Sequence, residues 1–339
     1  MKRMAMLLFL LGLLPPAQDA RAQRVSALQV GSYLPGVINV RDWAQPPAGF
    51  FFLDYNIGVY TGAFVDRNGD EVERLEIDLS PIDPDLGSVV LDVDVGGNGY
   101  ANLPAFVWAS KFKLLGARYV AVANLVFASA NYRYNLNLPD SDIGVGAQGS
   151  LGGFADVAFT PVGLSWAFDG KVDLTFLYTL YVPTGRYEAG ADDNIGAGLW
   201  THQFQLPFYA YALNQATALT VIPTLELNSR VRDSDFRPGT RFTLEYGISQ
   251  YFTDWLELQL LNGHNWQVGE DSGVDQWWDG SVLDTKDRKS VFSAGLGLWP
   301  WSERLYISFK YNFDYGVRQN FKADYFLVNL MFITNLLTE

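Results

Sequence analysis

Cysteine is absent from the 339 residues, so no disulfide staples this chain and no thiol is available as a nucleophile or metal ligand. Histidine is nearly absent. Only His202 and His264 occur, and neither a G-x-S-x-G nor an H-E-x-x-H pattern gives them a catalytic setting. Positive charge is also scarce: 24 Lys and Arg against 37 Asp and Glu leave a formal net charge of -13, which repels nucleic acid. Beyond residue 22 no stretch approaches the ~20 consecutive apolar residues of a membrane-spanning helix.

What is present starts with a leader. Lys2 and Arg3 precede an apolar run from Met4 to Leu14, and Ala20-Arg21-Ala22 forms an A-x-A cleavage site. Residues 1–22 therefore read as an export signal peptide, and their loss makes the remainder still more acidic. The rest is a paradox of composition, at 49% hydrophobic and 18% charged without any long apolar block. A closed β-barrel resolves it, because every second residue of a barrel strand meets lipid.

The alternation is there to be read. Leu305, Ile307, Phe309, Tyr311, Phe313 and Tyr315 interleave with Tyr306, Ser308, Lys310, Asn312 and Asp314. In the same way Phe242, Leu244, Tyr246 and Ile248 flank Thr243, Glu245 and Ser249, while His202, Phe204, Leu206 and Phe208 oppose Gln203, Gln205, Tyr209 and Tyr211. Twelve strands are expected, at about 50–61, 103–113, 117–129, 153–166, 171–182, 200–212, 217–229, 240–251, 254–265, 289–299, 303–315 and 323–335. The links between them alternate between tight turns and the longer segments 62–102, 130–152, 183–199, 230–239, 266–288 and 316–322. Short periplasmic turns and long extracellular loops are the habit of all-β, antiparallel transmembrane barrels. Pro161, Pro207 and Pro223 fall inside expected strands and call for bulges or breaks there. Trp108, Trp166, Trp200, Trp255, Trp266, Trp299 and Trp301 near strand ends suit interfacial girdles.

Several short motifs then follow in a recognisable order: Tyr33-Leu34-Pro35-Gly36, Pro46-Pro47-Ala48-Gly49-Phe50, Pro183-Thr184-Gly185-Arg186-Tyr187, Asn194-Ile195-Gly196-Ala197-Gly198-Leu199-Trp200 and Arg237-Pro238-Gly239. In these the chain resembles the outer-membrane barrel family described as "Putative MetA-pathway of phenol degradation". The resemblance implies an outer-membrane role in moving aromatic or other hydrophobic compounds, with no chemistry attached. The chain departs from the usual terminal aromatic of such barrels, since Phe332 is followed by Ile333-Thr334-Asn335-Leu336-Leu337-Thr338-Glu339. That departure calls for a last strand longer than drawn, or for weaker assembly.

Candidate functional residues follow from parity. Lys111, Lys113, Asp156, Asp173, Glu226, Glu245, Glu257, Lys310 and Asp314 are expected inside, since charge facing lipid is costly. With them come Phe50, Phe52, Phe154, Tyr181, Tyr209, Tyr211, Trp299 and Tyr306, rings that would either line a path for apolar solutes or simply fill the interior. Pro183, Thr184, Gly185, Arg186 and Tyr187 form either a gate loop or a plain turn and strand start. Trp277 and Trp278 would catch solutes at the outer mouth, or pack within their loop.

Residues 23–49, with Pro35, Pro46 and Pro47, cannot be a wall strand and are expected to plug the barrel that begins at residue 50, or to trail in the periplasm. Arg41 and Asp42 would then pair with lumen charges. Asp66-Arg67-Asn68-Gly69-Asp70 has some of a calcium loop's oxygen spacing but lacks its later glycine and glutamate, so no metal and no cofactor are expected. The expected function is a passive outer-membrane channel for small hydrophobic or aromatic compounds, in contact with membrane lipids and lipopolysaccharide. Two alternatives stand beside it: a lipid hydrolase built on His264 and Asn265, and a structural or adhesive barrel worked by its acidic loops.

Overall fold

The computed structural model describes residues 31–78, 87–140, 144–191, 193–273, 286–301 and 304–336. The leader, Trp277, Trp278 and residues 23–30 lie outside the described residues. Sixteen strands and no helix are found among them: β1 (Gly49–Val65), β2 (Arg74–Asp78), β3 (Ser88–Leu114), β4 (Ala117–Asn124), β5 (Phe127–Asn137), β6 (Gly144–Phe154), β7 (Val157–Phe168), β8 (Val172–Val182), β9 (Thr201–Gln205), β10 (Phe208–Ala212), β11 (Thr217–Asn228), β12 (Arg241–Thr253), β13 (Leu256–Gln267), β14 (Arg288–Trp301), β15 (Leu305–Arg318) and β16 (Asn320–Leu336). All pair antiparallel. Strand β1 meets β16 along one edge and β3 along the other, which closes a twelve-stranded barrel in which β9 and β10 share one position.

The wall is built by the alternation seen in the sequence. Along β11, Ala218, Thr220, Ile222, Thr224 and Glu226 are buried while Leu219, Val221 and Leu225 are exposed on the outer face. Along β15 the buried set is Tyr306, Ser308, Lys310, Asn312 and Asp314, and Phe309, Tyr311, Phe313 and Tyr315 point outward. Hydrocarbon on one side and a filled lumen on the other account for this division.

The inconvenient prolines fall where the ladder is already interrupted. Pro207 separates β9 from β10 and lies across from Pro223 of β11, where Leu206 N–H donates to the Pro223 carbonyl. Pro161 sits in a register shift that β7 makes against both β4 and β8. A residue without an N–H loses little at either place.

Among the described residues four connections at one end are short, at residues 115–116, 169–171, 213–216 and 254–255. Leu115 and Gly116 both have positive φ, 53° and 80°, as hairpin turns of the primed types require. This turn end is the periplasmic one by the habit of outer-membrane barrels, and the opposite, loop end faces outward.

Three links expected as loops are largely strand. The 62–102 segment holds the end of β1, all of β2 and half of β3; the 130–152 segment is the β5–β6 hairpin; and in 316–322 only Gln319 separates β15 from β16. In β5 and β6 both faces are exposed or half-buried, so the apolar-polar alternation that betrays a wall strand is missing. In β6, Gly144, Val145, Gly146, Gly152, Gly153 and Phe154 are all exposed. Within 62–102, Asp66 Oδ1 accepts the backbone N–H groups of Asn68, Gly69 and Asp70 at 2.7, 2.9 and 3.0 Å, which closes a hairpin tip and holds this carboxyl below its usual range. Among the described residues no cluster of ligands suits a metal.

The inside-outside division makes a direct prediction. Val221→Arg, on the outer face of the mid-wall, should cost about 2–4 kcal/mol of folding free energy, while Leu213→Arg in the 213–216 turn should cost less than about 1 kcal/mol. Equilibrium folding into lipid vesicles measures both.

Candidate functional site

The lumen has two unlike halves. The wall from β11 through β16 carries buried Glu226, Glu245, Glu257, Gln259, Lys289, Lys310, Asn312, Asp314 and Asn329. Bare, such a surface would be a wet, charged bore. Instead residues 31–48 run down it, and their backbone takes up Glu226, Glu245, Gln259, Lys310, Asn312 and Asn329, while Lys289 and Asp314 pair with each other.

The contacts follow the segment in order. Glu226 Oε1 accepts the N–H groups of Ser32 and Tyr33 at 2.8 and 3.0 Å. Glu245 accepts Gly36 N–H at 2.6 Å together with the Tyr33 hydroxyl. Lys310 Nζ donates to three successive carbonyls, Gly36, Val37 and Ile38, at 2.5, 3.1 and 2.6 Å. Gln259 accepts Val40 N–H at 2.9 Å. Near the turn end Arg41 pairs with Glu257 at 3.0 Å, donates to Ser249 and to the Ala216 carbonyl, and stacks 4.7 Å over the Tyr251 ring. Asp42 takes the Tyr55 hydroxyl at 2.8 Å rather than a lumen cation. Tyr209 and Asp173 then receive the N–H groups of Trp43 and Gln45.

Gly36 shows why this fit demands its sequence. Its φ is +83°, and a Cβ there would lie 2.7 Å from Asn312 Nδ2. No side chain fits that approach without displacement.

The other half of the lumen stays open. A cavity of about 620 Å³ lies between the segment and the wall of β1, β3, β4, β7, β8 and β9. Leu53, Leu103, Val107, Val120, Val122, Leu177, Met331 and Ile333 supply its apolar lining. The hydroxyls beside them are spent on each other, Thr160 with Thr179 at 2.7 Å and Ser165 with Thr175 at 2.9 Å. Satisfied pairs present little free hydrogen-bonding capacity to a solute. Trp299 and Tyr306, 5.1 Å apart, line the cavity towards the turn end.

Loop 183–200 lies over the outer side of this cavity, to which it contributes Ile195 and Ala197. Asp156 pins both ends of the loop, accepting Gly185 N–H at 2.9 Å and Ala197 N–H at 2.8 Å. Gly185 and Gly196 touch so closely that a Cβ on the first would meet the second's Cα at 2.7 Å. Thr184 bonds Val157 N–H, Arg186 pairs with Asp193, and Tyr187 packs on the buried cluster of Leu199, Val231 and Phe236. Beyond this loop, Arg241 forms a forked pair with Asp287, whose carboxyl burial pushes above its usual range; burial does the same to Asp271, which accepts Gly239 N–H.

Of the residues expected inside, Asp173, Glu226, Glu245, Glu257, Lys310, Asp314, Tyr209 and Tyr306 are buried in the lumen, and Tyr181, Tyr211 and Trp299 join them. Phe50, Phe52 and Phe154 are corrections: they face outward, Phe52 against Phe106 and Phe154 against Phe127. Three successive phenylalanines, 50 to 52, carry no alternation, and the inward set proves to be Phe51, Leu53 and Tyr55. Lys111 and Lys113 are also corrections, exposed beside the 115–116 turn where water is within reach. Parity singles out charges and rings and leaves the aliphatic lining of Val120, Val122 and Leu177 unnamed; their evenly spaced burial in β4 and β8 is the signal.

His264 lies on the outer face near the loop end, inside a network with Tyr246, Asn262, Ser290 and Tyr315. Ser290 Oγ is 2.8 Å from Nδ1, a neighbour that no local motif announces because it comes from the next strand. Asn265, its sequence neighbour, points inward and is buried.

The family model described as "Putative MetA-pathway of phenol degradation" matches residues 80–330. No curated protein matches the sequence significantly. Among solved structures, the COG4313 outer membrane channel from Pseudomonas putida F1 superposes with a TM-score of 0.63 at 15% identity, covering 86% of this chain and 98% of that one. The CymD monoaromatic hydrocarbon channel matches with a TM-score of 0.42 at 10% identity over 92% of this chain and 98% of that one. A Pseudomonas aeruginosa FadL homologue does so at 0.42 and 9% identity, over 93% and 98%.

The anchoring carboxylates yield a prediction. Glu245→Ala leaves Gly36 N–H and the Tyr33 hydroxyl without their acceptor. Amide exchange across residues 32–41 should then speed by about tenfold or more, given ~1.5–3 kcal/mol for a hydrogen bond to a buried charge. Exchange mass spectrometry reads this directly, with β13 amides as the unchanged reference.

Proposed function

The chain belongs to the family described as "Putative MetA-pathway of phenol degradation", an integral, multi-pass barrel of the Gram-negative outer membrane, and on that footing we propose that it passes small hydrophobic, chiefly aromatic, compounds by passive diffusion. The observation that carries this reading is the 620 Å³ cavity lined by aliphatic side chains and self-satisfied hydroxyls. Such a space favours a solute that gives up water readily. Ions and sugars meet a bore that residues 31–48 occupy, so these residues serve as the plug against leakage. Lumen rings such as Trp299 and Tyr306 offer faces for an aromatic solute, and loop 183–200 covers its outer approach. Under this reading residues 1–22 are removed on export, and the plug lies ahead of the barrel. Lipids and lipopolysaccharide surround it.

The solute class for this chain rests on its own cavity and its family. Leu177 is 1% exposed and sits in the cavity wall. In cells lacking other routes, Leu177→Trp should cut uptake of a labelled monoaromatic hydrocarbon to near the level of cells without the protein, with the barrel still folded. Unaltered uptake in that variant would mean the solute travels elsewhere.

One observation favours the hydrolase alternative, the 2.8 Å approach of Ser290 to His264. The rest of the network opposes it. Asn262 Nδ2 faces His264 Nε2 at 3.2 Å, so Nε2 accepts and Nδ1 keeps the proton that it donates to Ser290. A general base needs the reverse. Ser290→Ala is expected to leave the phospholipid composition of the membrane and any basal ester hydrolysis unchanged; a drop in hydrolysis would restore the enzyme.

A further inference from the structure

Near the loop end, the outer faces of β14 and β15 set Arg288 directly opposite Arg318. Like charges paired across a ladder are unfavourable unless something lies between them. Among the described residues neither guanidinium has an ion-pair or hydrogen-bond partner, in a chain whose acidic residues far outnumber its basic ones. The arrangement is built by a bulge. The register slips between Arg288 and Ser290, where β15 gains a residue at Gly316, whose φ is 56°. Without that extra residue Val317 would face out and Arg318 inward; with it Val317 is buried at 5% exposure and Arg318 is outside.

Lys322 stands on the next strand, held by Glu71 at 2.8 Å. A recess of about 520 Å³ opens among Arg288, Arg318, Lys322, Tyr315 and the Asn68-Gly69 hairpin tip. Asp314 also borders it, but its carboxylate is engaged by Lys289 at 2.8 Å. One row deeper on the same outer face comes the network of Tyr315, Asn262, His264, Ser290 and Tyr246, with Tyr315 donating to Asn262 at 2.8 Å. Deeper still the face is apolar, with Phe313, Leu260 and Ile248 exposed.

Cations at the rim, then neutral donors and acceptors, then hydrocarbon: this vertical order matches one kind of molecule. We propose that the outer face of β12–β16 binds a phosphorylated glycolipid of the outer leaflet, with a phosphate between Arg288 and Arg318, the sugar on the Tyr315–Asn262–His264 network and the acyl chains against the wall below. Guanidinium pairs suit phosphate oxygens, and the charge between the two arginines is thereby relieved. The recess shares no lining residue with the apolar cavity, so solute flux through the cavity stays as it is when the site is removed.

The full-length chain in neutral detergent, titrated with bisphosphorylated lipid A and read by native mass spectrometry, tests this. Arg288→Ala/Arg318→Ala should bind roughly tenfold to thirtyfold more weakly, from the contribution of two cations at an anionic lipid surface. Arg74→Ala, an exposed cation on β2 that pairs with Asp92, should bind as the unaltered protein does. Heat-modifiable migration on gels verifies that each variant is folded. Dephosphorylated lipid A should bind as weakly to the unaltered protein as lipid A does to the double variant. Equal binding of lipid A by the double variant, or equal binding of the dephosphorylated lipid, would overturn the proposal. So would tight binding of inorganic phosphate alone with no gain from the lipid, which would make the recess a site for soluble anions.

Discussion

Charge buried in a barrel must be answered within hydrogen-bonding distance, and the rest of this structure follows from how Glu226, Glu245, Glu257 and Lys310 are answered. Their partners are mostly backbone N–H and C=O groups of residues 31–48, not each other. A peptide segment is a suitable reply because it carries donors and acceptors in a fixed alternation and can follow a wall for many residues. Side chains that would bar a hydrophobic solute are thereby consumed. What remains of the lumen belongs to Val120, Val122, Leu177 and their neighbours.

The same division explains why polarity is distributed so unevenly around the wall. On β11 to β16 much of the buried charge is paired with the segment that covers it, whereas β4, β7 and β8 turn mainly aliphatic residues inward, with Thr and Ser that bond across the β7–β8 ladder and the buried charges Arg118 and Asp173. Most of the plug's bonds go to the β11–β16 side, with fewer to Tyr55, Ser165, Asp173 and Thr175 opposite, and the cavity lies on that second side. Loop 183–200, fastened through Asp156 at its two ends, limits that space from outside. On the outer surface an arginine pair at the loop end is aimed outward by the Gly316 bulge.

Much of this wall was legible beforehand. Leu305 to Tyr315 and Thr217 to Asn228 alternate so regularly that their inward residues could be named, since lipid and lumen impose opposite demands at every step. Legibility failed where one of the two media was missing. Phe50 and Phe52 lie in a run of aromatics without contrast, and β5 and β6 have no buried face. The candidate site was legible only as a list of inward charges. That Lys310 would hold three carbonyls of residues 36–38, or that Ser290 would reach His264, depends on elements 272 to 274 and 26 positions apart in the chain, which no local pattern encodes.

The division of the lumen is tested most directly by a crystal structure of the protein soaked with a brominated or iodinated benzene, located by its anomalous signal. The account expects the halogen beside Val122, Leu177 and Trp299, with residues 31–48 still bound to Glu226, Glu245 and Lys310. Halogen found only on the outer surface, or in the polar half after the segment has left it, would contradict the account.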